Sequence, residues 1–159
     1  MIILQDTREQ APLNFNHPYI TEVICKKLDC GDYGCQFTDG HTPPIYFERK
    51  SLVDLFGTLG KGYKRFKREI QRAQESNISL IIAIEGSITK ILNGTEYSTM
   101  EGISVLRRLI TLEIKYGIRH KCFNSRDEMS LYIAEYYCGI GKRHVEQIEK
   151  EVNVPNNKQ

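Results

Sequence analysis

The stretches Gly31-Asp32-Tyr33 and Ile45-Tyr46-Phe47-Glu48-Arg49-Lys50 decide how this chain folds. The second stretch has the apolar and aromatic residues that favour a β-strand, on which side chains two positions apart point to the same face. Glu48 and Lys50 therefore project together. If the two stretches belong to one hairpin, Asp32 falls beside Glu48, and two carboxylates and a lysine converge on one spot.

That combination of side chains has a specific chemistry. Carboxylate oxygens are the hard ligands that Mg²⁺ or Mn²⁺ prefers, and a neighbouring ammonium group can hold an attacking water and neutralise charge on a phosphate. The three side chains thus predict phosphodiester hydrolysis. An acid-x-lysine triplet alone is common on solvated strands without any chemical role. Here Asp54 follows by one helical turn, and Asp6 and Arg8 end the first predicted strand.

The rest of the chain reads as one α/β domain over residues 1–151, followed by a flexible tail at 152–159. Apolar runs separated by turn signals predict strands at 2–4, 21–28, 35–37, 45–50, 80–84 and 118–123. Helices are expected after Ser51, at 63–74, at 100–116 behind a Ser98/Glu101 capping box, and after a Ser125/Glu128 capping box. Gly139-Ile140-Gly141-Lys142 is interpreted as a helix break.

Composition limits the class of protein. The 159 residues are 40% hydrophobic and 26% charged, which excludes a disordered, coiled-coil or collagen-like chain. The longest apolar run, Leu80 to Ile84, is too short to span a membrane, and no secretory signal is visible, so an intracellular protein with reduced thiols is expected. The five cysteines lack the close pairs that zinc sites use: Cys25, Cys30, Cys35, Cys122 and Cys138.

A basic stripe is the second functional signal, because the net charge of +2 is too small to indicate a partner. Between Lys61 and Arg72 six basic residues face one acid, Glu69. At helical spacing one stripe is basic and the opposite stripe is apolar: Lys61, Lys64, Arg65, Arg68 and Arg72 against Tyr63, Phe66, Ile70 and Ala73. Such a face is often merely solvated, but its place directly after the acidic strand favours contact with a nucleic-acid backbone.

Taken together, these motifs resemble the XPF-type nuclease domain, a branch of the PD-(D/E)xK restriction-endonuclease-like superfamily. The residues that carry the resemblance are Gly31-Asp32, Glu48-Arg49-Lys50, Asp54 and the early Asp6-Thr7-Arg8-Glu9. The resemblance implies a central mixed β-sheet flanked by helices. It also implies a Mg²⁺- or Mn²⁺-dependent DNA endonuclease, with branched or flap-like DNA as the expected substrate.

The resemblance also implies a role for each motif residue. Asp32 and Glu48 would bind the metal, the backbone carbonyl of Arg49 would be a further ligand, and Lys50 would position the attacking water. Asp6 would join the acidic cluster directly or through water, while Arg8, Arg49 and Asp54 would order it or touch phosphate. Two simpler interpretations stay open. Asp54 could be a first-turn helix acid, and Arg8 a structural salt-bridge partner.

Other functions on the same scaffold remain open. A catalytically silent DNA-binding module would be expected to lose Asp32, Glu48 or Lys50, and all three are present. An RNA-processing nuclease survives as an alternative because nothing in the sequence distinguishes the sugar of the substrate. The resemblance further implies a possible homodimer through the helix at 100–116 and the helix after Ser125. A stand-alone nuclease of a phage or mobile element would have this size.

Overall fold

Six strands form one mixed β-sheet in the computed structural model, which describes residues 1–152. The strands are β1 (Ile2–Asp6), β2 (Glu22–Lys26), β3 (Tyr33–Gln36), β4 (Ile45–Ser51), β5 (Ser79–Glu85) and β6 (Arg119–Phe123). Their order across the sheet is β2-β1-β3-β4-β5-β6. β3 is antiparallel to both β1 and β4, whereas the pairs β1/β2, β4/β5 and β5/β6 are parallel.

Within residues 1–152, five helices flank the sheet, so the predicted α/β class with a central mixed sheet is confirmed. They are α1 (Leu52–Leu59), α2 (Tyr63–Glu75), α3 (Ile88–Asn93), α4 (Gly102–Tyr116) and α5 (Arg126–Val152). Ser51 caps α1 as expected, because its hydroxyl accepts from the backbone N–H of Asp54 at 3.1 Å. The short α3 was not predicted.

The sheet buries a different core on each face. Leu80, Ile82 and Ile84 of β5 pack with α1, α2 and α4, while Ile81 and Ala83 pack with α5. Burial on both faces explains why β5 reads as an unbroken apolar run. Residues 46, 48 and 50 of β4 point to the α1–α2 face, because they pair with residues 80, 82 and 84.

The capping box predicted for α4 is wrong. The helix begins at Gly102, with Glu101 at its N-cap and no side-chain capping bond, and Ser98 accepts instead from the N–H of Met100 at 3.1 Å. Gly102 lies against the carbonyl oxygen of Ile91, which a Cβ would overlap. The close approach of two helices, and not a cap, therefore fixes where α4 starts.

The helix break predicted near Gly139 is also wrong. α5 runs without interruption from Arg126 to Val152, and Gly141 passes close to the ring of Phe37, where a Cβ would lie 3.3 Å from a ring carbon. Glycine lowers helix propensity by only about 1 kcal/mol, which packing can outweigh.

The start and the end of α5 bear on two further predictions. Ser125 caps the start as predicted, accepting from the N–H of Glu128 at 3.1 Å, although the Glu128 carboxylate accepts from Asn124. Val152 ends the helix, and the remaining predicted tail, 153–159, lies outside the described residues. None of the helices within residues 1–152 has both the length and the apolar character needed to cross a membrane.

Candidate active site

The turn before β3 places Asp32 against β4. Gly31 has a φ of +70°, and a Cβ there would lie 2.9 Å from the Cβ of Tyr46 and 3.0 Å from the carbonyl oxygen of Phe47, so the position requires glycine. The Asp32 N–H then donates to the Phe47 carbonyl at 2.7 Å. The N–H of Arg49 in turn donates to the Asp32 carboxylate at 2.8 Å. The turn at Gly31-Asp32 thus fixes the position of the Asp32 carboxylate beside β4.

Glu48 and Lys50 lie on the same face of β4, as predicted. The Lys50 Nζ donates to a Glu48 carboxylate oxygen at 2.5 Å, and the two side chains are only 16% and 15% exposed. Because Tyr33 pairs with Phe47 in the antiparallel β3/β4 ladder, Asp32 falls opposite Glu48. The structure therefore brings Asp32, Glu48 and Lys50 together.

The two carboxylates repel each other in this half-buried setting. Burial, and then the charge of Glu48, raises the pKa of Asp32 from 3.8 to about 7, against the hydrogen bond from the Arg49 N–H, which lowers it. Burial alone would lower the pKa of Lys50. The adjacent Glu48 carboxylate, with smaller contributions from Asp32 and Asp54, outweighs burial and raises it, so Lys50 stays charged.

This arrangement fits a divalent cation. One lysine cannot neutralise both carboxylates, and the pKa of Asp32 is raised by burial first and by the neighbouring Glu48 charge second. Half-buried carboxylate oxygens, one from the turn before β3 and one from β4, are the hard donors that Mg²⁺ and Mn²⁺ take. Asp32 and Glu48 would hold the ion, and Lys50 stands beside them.

Asp6 lies next to the site through its backbone but does not offer its side chain to it. Its N–H donates to the Asp32 carbonyl at 2.8 Å, while the buried carboxylate accepts from the backbone N–H groups of Arg8 and Leu28 and from the Arg8 guanidinium. Burial acts to raise the pKa of Asp6, but these hydrogen bonds outweigh it and hold the pKa below its usual value. Asp6 therefore orders Arg8, and direct metal ligation is not what its contacts indicate.

Arg8 extends from this anchor towards the carboxylates. Its Nε lies 2.6 Å from Asp6, and its guanidinium also donates to the Leu28 carbonyl at 2.9 Å. Its side chain is still 63% exposed and lines the cavity beside Asp32 and Glu48. The salt bridge expected as the simpler role of Arg8 is present, and the exposed guanidinium remains able to meet a phosphate.

The side chain of Arg49 points away from Asp32 and Glu48, to the α5 face of the sheet. Its guanidinium contacts Glu9 at 2.9 Å and Glu85 at 2.7 Å, and Arg126 contacts the same Glu85 oxygen at 2.6 Å. Glu85 and Arg126 had no predicted role. Glu85 pairs with Ser51 at the end of two parallel strands, and that register is the signal that could have found it. This network fixes the Arg49 side chain, and the backbone N–H of Arg49 donates to the Asp32 carboxylate.

Asp54 has the contacts of a helix-capping acid. Its carboxylate accepts from the Ser51 hydroxyl at 2.6 Å while its N–H donates back to that hydroxyl, and the residue is exposed. Its charge still contributes to the raised pKa of Lys50. The first-turn interpretation of Asp54 thus describes its hydrogen bonds, and a direct catalytic role stays a prediction.

The basic stripe is exposed, as its helical spacing predicted. Phe66, Ile70 and Ala73 are buried beneath α2. All five basic residues are exposed to solvent: Lys61, Lys64, Arg65, Arg68 and Arg72. Lys67 lies apart, with its ammonium group 4.9 Å from the centre of the Tyr63 ring. Seven residues separate Arg65 from Arg72, which corresponds to about 10 Å along the helix.

A cavity of about 450 Å³ joins α2 to the carboxylates. Asp32, Glu48 and Arg8 line one side, and residues of α2 line the other, among them Glu69 and Arg72. The stripe therefore ends at the wall of the cavity that contains the acidic site. This cavity was not predicted, because its walls come from separate parts of the chain.

Comparison with known proteins agrees with this geometry. A family model described as the ERCC4 domain matches residues 5–136. XPF from Aeropyrum pernix has a TM-score of 0.64 at 22% identity, covering 94% of this chain and 69% of that one. The structure described as XPF from Aeropyrum pernix, complex with DNA, has a TM-score of 0.66 at 24% identity, covering 89% and 66%.

These likenesses concern the fold, and this chain spans about two thirds of the length of those proteins. The family model covers most of the chain and every motif from Asp6 to Asp54. The resemblance to the XPF-type nuclease domain is thereby confirmed, and the chain belongs to the ERCC4 domain family.

Proposed function

We propose that this protein is a DNA endonuclease that hydrolyses phosphodiester bonds with Mg²⁺ or Mn²⁺. The observation that carries the proposal is the convergence of Asp32, Glu48 and Lys50, with the Lys50 Nζ 2.5 Å from Glu48. Membership of the ERCC4 domain family supports a nuclease. The description of the Aeropyrum pernix structure as a complex with DNA supports DNA as the ligand.

Each residue of the site would have a separate role in hydrolysis. A bound divalent cation would supply Lewis acidity at the phosphate that is cut. Asp32 and Glu48 would hold it, with the Arg49 carbonyl as a further ligand. Lys50, kept charged by its acidic neighbours, would orient the attacking water and neutralise charge on the phosphate. Arg8 and the basic stripe of α2 would position the DNA backbone.

The expected substrate is branched or flap-like DNA. A homodimer through α4 and α5 is also proposed, since both helices carry exposed apolar residues, among them Ile114 at 81% and Val145 at 53% exposure. RNA cleavage is kept as an outcome of the experiment.

The test uses labelled flap, fork, junction, single-stranded and RNA substrates with Mg²⁺, Mn²⁺, Ca²⁺ or EDTA. Cleavage is expected with Mg²⁺ and Mn²⁺ and is expected to vanish in EDTA. Ca²⁺ should support binding with little turnover, since its looser coordination orients water poorly. Undiminished cleavage in chelator would refute the metal site.

Lys50→Ala separates chemistry from binding. We expect it to abolish cleavage while DNA affinity stays within a few-fold, because one phosphate contact is a small part of a multiply charged interface. Lys121→Ala is the matched control, since Lys121 is exposed on β6, away from the carboxylates. Equal loss of affinity and cleavage in Lys50→Ala would contradict the assigned role.

A further inference from the structure

The far wall of the cavity has features that the hydrolytic site does not use. Asp29, which is exposed, and Glu69 line it, and within residues 1–152 neither carboxylate makes a hydrogen bond or ion pair. Glu69 is half-buried on α2. Two acceptors thus face the cavity without a donor from the described protein.

Apart from Arg72 and Ser76, the remaining lining of this wall is apolar. Phe66, Ala73 and Leu80 are almost fully buried residues whose side chains border the cavity, and Ile78 and Cys30 complete that side. A flat ring would lie against Ile78 and Cys30, the partly exposed residues of that side.

The charge of the cavity argues against a phosphate in its interior. Four carboxylates line it against two guanidiniums: Asp29, Asp32, Glu48 and Glu69 against Arg8 and Arg72. Arg8 is already paired with Asp6. Even with a divalent cation at Asp32 and Glu48, the far wall keeps two acceptors beside one exposed arginine. The interior therefore suits a group that donates hydrogen bonds and carries no negative charge.

Size and chemistry together specify that group. A volume of about 450 Å³ lies within the range of clefts that enclose small ligands, roughly 300–1,000 Å³. A nucleobase is planar, uncharged and able to stack, and cytosine and adenine carry exocyclic amino groups that carboxylates accept from. Guanine also carries an amino group, whereas thymine offers oxygens and a methyl group instead.

We propose that this cavity binds the base of one unpaired nucleotide beside the scissile phosphate, and that Asp29 and Glu69 select bases with an amino group. The inference rests on the proposed function, since it takes the ligand to be a nucleic acid placed by Asp32 and Glu48. It adds a base-binding subsite and a base preference to that function. Duplex DNA cannot fill the cavity while its bases stay stacked and paired.

The experiment compares flap substrates whose unpaired arm is cytosine, adenine, thymine or abasic throughout. Affinity is measured in Ca²⁺ and single-turnover cleavage in Mg²⁺. The wild-type protein should bind cytosine and adenine arms at least about fivefold more tightly than thymine arms, the low end of what a good base contact contributes, with abasic arms weakest. Equal affinity for all four arms would overturn the inference.

Two variants attribute the preference to the cavity. Glu69→Ala should bring the ratio of cytosine to thymine affinity close to one, a readout that is insensitive to a general change in charge. Glu75→Ala is the matched control, because Glu75 is an exposed acid on the same helix that pairs with Gln71 and does not line the cavity. A ratio unchanged in Glu69→Ala would refute the role of this wall.

Failure of the inference differs from failure of the proposed function. Cleavage with no dependence on base identity rejects the cavity subsite and leaves the nuclease intact. Base-dependent binding without cleavage of any substrate supports the subsite and rejects the enzyme. No binding to any of the arms rejects both.

Discussion

The Asp32 carboxylate, a ligand of the proposed metal site, lowers the stability of the metal-free protein at neutral pH. It is half-buried beside Glu48, and its pKa is raised from 3.8 to about 7. A carboxyl whose folded pKa is raised stabilises the protein fully below its unfolded pKa and loses that contribution as pH rises through the folded pKa. The metal-free protein should therefore lose stability between about pH 4 and pH 7.

Asp32→Asn tests this directly. In EDTA at pH 7.5 we expect the variant to be more stable than the wild type by roughly 1–2 kcal/mol, less than the full shift implies because solvent and relaxation offset part of it. Its free energy of unfolding should also vary less between pH 4 and 7. Urea unfolding across that range measures both, with Asp127→Asn, an exposed acid on α5, as the control. A less stable Asp32→Asn protein at neutral pH would contradict the proposed repulsion.

Gly31 is the second residue on which the site depends. Gly31→Ala should lower the free energy of unfolding by about 2 kcal/mol or more, since it combines a left-handed φ of +70° with a close contact to Tyr46 and Phe47. Gly40→Ala is the control: its φ is +86°, but no atom lies within 4 Å of its added Cβ. Only the conformational cost of about 1 kcal/mol is expected there. Equal losses at the two glycines would mean that the contact at Gly31 is easily relieved.

Residue by residue, local periodicity predicted the centre of the site and little beyond it. Strand alternation alone places Glu48 and Lys50 together, and the hairpin adds Asp32. The same alternation places the Arg49 guanidinium on the opposite face. There it contacts Glu9 and Glu85, and Arg126 contacts the same Glu85 oxygen. Those partners come from three distant segments, so their meeting depends on the tertiary fold.

At the scale of elements, α2 is a packed helix with a basic outer face. Charge reversal of Lys64, Arg65 and Arg68 together should weaken binding to all DNA sequences alike. It should flatten the slope of log affinity against log salt by roughly two to three units, about 0.9 for each lost phosphate contact. Turnover at saturating DNA should fall much less than affinity, because these side chains do not reach the carboxylates.

The matched control reverses three exposed charges on the second half of α5, Lys142, Arg143 and Lys150. Salt-dependent binding measures both triple variants. Wild-type affinity and salt slope in the α2 variant would leave its stripe a solvated face, and DNA contact would then have to come from Arg8 or the loop after Gln10.

The elements that the sequence predicted well are those with a strong local period. β4, β5 and α2 fall close to their expected bounds because alternation, an apolar run and an amphipathic stripe each act within one segment. The wrong predictions involve glycines whose role depends on tertiary contacts. Gly102 starts α4 because it packs on Ile91, and Gly141 stays helical beside Phe37. Neither neighbour is visible in the local sequence.

At the scale of the whole molecule, α4 and α5 lie on opposite faces of the sheet and both contact β6 at its edge. α4 presents an exposed apolar stripe opposite its buried one, made of Ile103, Ile110 and Ile114. The charged edge residues Arg119 and Lys121 discourage strand-to-strand pairing at β6. A second copy is therefore expected to pack helix to helix.

Light scattering over a range of protein concentrations tests this assembly. We expect a dimer that Ile110→Asp with Ile114→Asp converts to monomer, since an unpaired charge would be buried at the contact. Val23→Asp is the control, because Val23 is 41% exposed on β2 at the opposite edge of the sheet. A wild-type protein that stays monomeric at high concentration would remove the dimer.

The alternation along β4 also limits how the chain can change in length. An insertion or deletion of one residue within residues 45–51 would reverse the facing of every side chain beyond it. Arg49 would then turn towards the cavity, and Glu48 and Lys50 would turn into the packing under α5. The turn at residues 37–44 lies outside the strands and can absorb such a change without altering that facing. Variation in chain length between the two acidic segments is therefore confined to that turn.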